Sequence, residues 1–106
     1  MTIERTEEGA KVTFTLRGRF DNDGAQRLEE EVQHLRSSVR ELVFDLEGVD
    51  YVCSLGLRTL LSAQKKMRRR GPTRVINVHR TVMTEFELRG FDDIMSIEPL
   101  ANDDEE

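Results

Sequence analysis

"VDYVCSLGLRTLL" (residues 49–61) passes from the apolar end of a strand through a cysteine, a serine and a glycine straight into an amphipathic helix. Leu57, Leu60, Leu61, Gln64 and Met67 recur at helical spacing, and Gly71-Pro72 supplies the glycine-then-proline stop of a helix end. Just upstream, "ELVFDL" (residues 41–46) sets Leu42, Val43 and Phe44 in an unbroken apolar run, which suits a central strand covered on both faces. A buried strand feeding a helix is the repeating step of an α/β domain, and the rest of the chain repeats it.

Working outward, "AKVTFTLRG" alternates Val12, Phe14 and Leu16 with polar residues, the period of a strand with one wet face. A short partner strand near residues 2–5 is expected before it, with "TEEG" as the hairpin turn. Ala25, Leu28, Val32, Leu35 and Val39 then follow helical spacing behind the polar start Asp21-Asn22-Asp23, which offers several N-caps. "RVINV" (residues 74–78) reads as a second buried strand. Residues 81–89 form a shorter helix closed by Gly90, with Val82, Met83 and Phe86 facing inward, and "IMSI" (residues 94–97) forms a last strand stopped by Pro99. The order strand, strand, helix, strand, helix, strand, helix, strand predicts a mixed, mostly parallel sheet of four or five strands joined by right-handed helical crossovers.

The chain has 106 residues, 37% of them hydrophobic, enough for one core and too few for two. No apolar run approaches the ~20 residues of a membrane span, and charges occupy "MTIERTEEGAK" where a signal peptide needs an apolar stretch. A cytoplasmic location without membrane insertion is expected. One cysteine excludes an internal disulfide, and Cys53 with the distant His34 and His79 gives no zinc spacing, so neither metal nor cofactor is expected. Of the net charge of -5, the terminal Asp103-Asp104-Glu105-Glu106 contributes four negative charges, leaving a nearly neutral body and, at residues 101–106, an acidic tail read as disordered. Direct nucleic-acid binding is not expected. The five cations of "KKMRRR" (residues 65–70) lack an aromatic platform and complement the negative end of a helix dipole, which leaves a solvated face or a surface for an acidic partner.

The junction itself has two readings. Ser54 stands where a helix N-cap belongs, and the same exposed N–H groups and dipole would favour a phosphoryl group there. Cys53 beside it is either a thiol activated by that dipole or a small buried hydrophobe continuing the strand. Catalysis has no support: Ser54 and His79 lack the Gly-x-Ser-x-Gly elbow, and no phosphate-loop or dinucleotide fingerprint occurs.

"LRGRFD" (residues 16–21), "ELVFDLEGVDYVCSLGLRTLL" (residues 41–61) and "ELRGFDDIMSI" (residues 87–97) together resemble the STAS domain of anti-sigma-factor antagonists, over nearly the whole chain to residue 100. The resemblance implies a non-enzymatic module that binds an anti-sigma factor or serine-kinase-type partner and is released by phosphorylation of a loop residue immediately before a glycine. Here that residue is Leu55, before Gly56, and Cys53 replaces the usual aspartate; Asp21 and Ser54 keep the family residue. The expected partner-binding loop is therefore Asp21, Cys53, Ser54, Leu55, Gly56 and Arg58, with Leu55 as an apolar contact. Ser54 and Thr59 are the candidate displaced phosphoacceptors. The resemblance also admits a soluble subunit of a phospholipid transporter docking on its ATPase, and a small-ligand sensor.

Overall fold

A computed structural model describes residues 1–101. Its elements are β1 (Thr2–Glu8), β2 (Lys11–Arg17), α1 (Asn22–Gln33), β3 (Glu41–Gly48), α2 (Ser54–Met67), β4 (Thr73–Val78), α3 (Arg80–Leu88), a 3₁₀ turn (Phe91–Asp93) and β5 (Ser96–Pro99). The five strands lie side by side in the order the chain makes them, β1-β2-β3-β4-β5. The β1–β2 pair is antiparallel and the other three are parallel. The predicted α/β class, element order and mostly parallel sheet are all present.

Every parallel step moves across the sheet in one direction, so three right-handed crossovers place all three helices on the same face. That face carries the core: Val12, Phe14 and Leu16 of β2, Leu42, Phe44 and Leu46 of β3 and Val75 of β4 pack with Leu28, Leu57, Leu60 and Phe86 from the helices. Phe14 and Phe44 stack across the β2–β3 pair with ring centroids 5.8 Å apart. Val43 is buried but stands outside this core, on the opposite face. The unbroken apolar run suggested cover on both faces; the helices cover one, and Val43 is enclosed between its cross-strand neighbours Thr13 and Arg74. Arg74 is held over this second face by a bidentate pair to Glu98 at 2.9 and 3.2 Å and by Glu41 at 3.6 Å, and these carboxylates raise its pKa further.

Four boundaries differ from the sequence reading. β1 runs on to Glu8, and the hairpin turns at Gly9-Ala10 rather than at "TEEG", with Gly9 at φ 62. Glu7 and Glu8 hid the strand because charge suits a sheet edge. α1 ends at Gln33, capped by His34, although Leu35 and Val39 prolong its spacing; both are buried from an irregular segment that returns to the sheet. Ile94 and Met95 precede β5, which begins at Ser96. α3 begins one residue earlier than expected, at Arg80. Residues 102–106 of the expected acidic tail lie outside the described residues.

Candidate functional site

The site forms where two strand-to-helix junctions are stitched together. Beyond β2, the Phe20 N–H donates to the Tyr51 carbonyl at 3.1 Å, and the Cys53 N–H donates to the Phe20 carbonyl at 2.9 Å. This isolated parallel bridge, Phe20 with Val52, sets the starts of α1 and α2 side by side. Gly56 is buried in the first turn of α2, where a side chain would meet the Phe20 ring and Val52 at 3.0 Å. On the outer side the Arg19 guanidinium lies 3.7 Å from the centroid of the Tyr51 ring.

Each helix has its own cap. Asp21 accepts the Gly24 N–H at 3.0 Å at the head of α1, and this hydrogen bond above all holds its carboxyl below the usual aspartate range. At α2 the cap is Cys53, not Ser54: the Sγ accepts the Gly56 N–H at 3.3 Å and donates to the Asn22 Oδ1 at 3.3 Å. Cys53 is half-buried and so is neither exposed bait nor core filler. Ser54 is the first helical residue, exposed, and among the described residues its hydroxyl has no hydrogen-bond partner. The junction is thus one residue earlier than a serine cap requires.

Leu55 is half-buried, its inner side packed against the core. With Arg58 it lines a cleft of ≈ 530 Å³ between α1 and α2. Ala25 and Thr59, both buried, lie at its base. Thr59 is only 3% exposed, and its hydroxyl donates to the Leu55 carbonyl at 3.0 Å and the Ala25 carbonyl at 3.4 Å. The fold therefore separates the two candidate hydroxyls, leaving Ser54 open and Thr59 closed. All six residues of the expected loop gather at this end of the domain, with Asp21 and Cys53 as caps, Gly56 as a packing point, and Ser54, Leu55 and Arg58 reaching the surface.

The cleft, with Gln26, Glu29 and Glu30 on its α1 side, is the feature the sequence reading missed. Among the described residues no group of three or more His, Cys, Asp or Glu side chains could hold a metal ion, and no helix is long and apolar enough to cross a membrane.

Comparison with known proteins agrees with this architecture. Residues 3–99 match the family model described as Mlab, STAS domain. BtrV of Bordetella bronchiseptica, a candidate anti-sigma factor antagonist, is 34% identical over 89 residues, covering 82% of this chain and 74% of that protein. An anti-sigma factor antagonist from Mycobacterium paratuberculosis has the same fold, with a TM-score of 0.83 at 21% identity over 96% of this chain and 88% of that one. The anti-sigma factor antagonist SpoIIAA in its unphosphorylated form gives 0.77 at 16% identity over 91% and 87%. The family match spans the domain from its first strand to its last, and the chain belongs to the STAS-domain family.

Proposed function

We propose that the protein is a partner-switching module that binds an anti-sigma factor or serine-kinase-type protein through the start and outer face of α2, with Leu55 as the apolar contact. The observation that carries this reading is the position of Leu55: it precedes Gly56, where the family's phosphoacceptor stands, and it faces the α1–α2 cleft rather than the core alone. A leucine has no hydroxyl to modify, so partner release by phosphate at this position is lost while the contact surface is kept. Phosphate on a neighbouring side chain would add about -1.5 to -2 charges beside an apolar contact and disfavour the complex. Ser54, exposed and without a hydrogen-bond partner among the described residues, is the side chain in this loop suited to receive it.

The test is capture of an anti-sigma or kinase-type protein of the same organism by the wild-type chain and by Leu55→Asp, followed by incubation with ATP and mass spectrometry of residues 49–61. Loss of capture by the variant with no phosphate at position 55 is expected. Full capture by a folded Leu55→Asp variant overturns the reading.

The resemblance to the STAS domain also admits a second reading, a soluble subunit of a phospholipid transporter docking on the transporter's ATPase. Co-purification with such an ATPase, sensitive to Leu55→Asp and indifferent to ATP-dependent phosphorylation of the chain, distinguishes it from the first.

A further inference from the structure

We infer that the α1–α2 cleft seats one amphipathic α-helix of the partner, oriented by charge, with an acidic flank against Arg58 and a basic flank against Glu29 and Glu30. This deepens the proposed docking at α2 and rests on it. The lips of the cleft carry opposite charge: Glu29 and Glu30 stand on the α1 side and Arg58 on the α2 side. Among the described residues neither carboxylate forms an ion pair, and neither does Arg58; Glu29 accepts only the side-chain amide of Gln33, at 2.6 Å. Opposite charges that line one cleft without pairing leave Arg58 and Glu30 open to a third body placed between them.

The floor fits a helix. Ala25 and Thr59 are small and buried, which allows close approach, and Leu55 offers an apolar anchor at one end. Both walls are helices whose backbone groups are already hydrogen-bonded, so they cannot extend a strand and can only interdigitate side chains, as a third packed helix does. The cleft is lined by residues between 25 and 30 of α1 and between 55 and 62 of α2, about 9–12 Å at the helical rise, and beyond it the Lys66 ammonium donates to the Gln33 carbonyl at 3.2 Å across the two helices, so the seat takes about two turns of a bound helix.

Three synthetic 14-residue helical peptides with the same Leu/Ala stripe test the inference: one with a Glu flank and a Lys flank, one with two Glu flanks, one with two Lys flanks. Binding is read by fluorescence anisotropy, and the site by amide chemical shifts. The mixed peptide should bind at least tenfold more tightly than either single-sign peptide, with the largest shifts at Ala25, Leu55 and Thr59. Arg58→Glu should move the preference to the Lys peptide, and Glu29→Lys with Glu30→Lys should move it to the Glu peptide. Absence of binding, equal affinities, shifts elsewhere, or preferences unchanged in these variants overturn the inference. If those preferences fail while Leu55→Asp still abolishes capture of the partner protein, docking at α2 stands and the charge-oriented helix falls. If the preferences switch as stated while Leu55→Asp leaves partner capture intact, the cleft stands and the proposed function falls.

Discussion

The thiol of Cys53 joins the starts of two helices, accepting the Gly56 N–H of its own helix and donating to the Asn22 side chain of the other, each at 3.3 Å. Sulfur is a weak acceptor, so this cap is weaker than one made by an oxygen. Cys53→Ala should lower stability by about 1 kcal/mol, and Cys53→Asp should recover that loss, because aspartate is a favoured N-cap whose carboxylate also suits the helix dipole. Urea midpoints of the three proteins check the order.

Asp21 gives the domain an acid-sensitive cap. Its folded pKa lies below the ordinary aspartate value, chiefly because the Gly24 N–H bonds the ionised form. The stabilisation is therefore complete above the unfolded pKa of about 3.9 and is lost as pH falls from there through the lowered folded value. Asp21→Asn keeps an acceptor and removes the titration. The variant should be less stable than wild type at pH 7, and the gap should shrink towards pH 3 in parallel urea titrations.

Gly71 follows α2 at a point where there is no room for a side chain. A Cβ there would stand 1.7 Å from the Arg40 carbonyl oxygen and 2.8 Å from its carbon, both backbone atoms that no rotamer change can move. Gly71→Ala should destabilise the fold by about 2–3 kcal/mol, at the upper part of the range for overpacking. In a domain of this size that corresponds to a fall in thermal midpoint of roughly 10–20 °C, readable by calorimetry.

Ser54 and Thr59 should separate function from stability. Thr59→Val keeps the shape but removes both hydroxyl bonds, including the one that ties α2 to the Ala25 carbonyl, and should cost about 1 kcal/mol while leaving phosphate uptake unchanged. Ser54→Ala should stay within about 0.5 kcal/mol of wild type, as exposed substitutions usually do. Any phosphate in this loop should map to Ser54 and vanish in that variant, by intact mass and fragment spectra.

Much of this domain is legible in the sequence because local pattern and tertiary demand agree. Val12, Phe14 and Leu16 alternate because one face of their strand meets the helices, and Ala25, Leu28 and Val32 repeat at helical spacing because one stripe meets the sheet. The pattern misleads where burial outlasts secondary structure: Leu35 and Val39 keep the spacing of α1 from outside the helix, since apolar residues that plug the end of a core need only be buried, not helical. Caps are harder still. Ser54 has the better capping chemistry and Cys53 the position, and the position is decided by the Phe20–Val52 bridge, a contact between residues 32 apart that no local spacing encodes. The cleft escaped for a related reason: Glu29, Glu30 and Arg58 mean little singly and acquire a joint meaning only once α1 and α2 lie side by side.

The sheet is laid down in chain order, each strand pairing with the one made before it. A nascent chain can therefore close its hairpin first and add one strand-and-helix unit at a time, without waiting for a distant segment to fill a gap. Only the hairpin is local, however; each parallel pairing must first close a helical crossover, and such non-local pairings form slowly. The strand-to-helix junctions stand outside these ladders and are joined by the isolated Phe20–Val52 bridge, so the loop that carries Leu55 is set only after the strands on either side of it are in place.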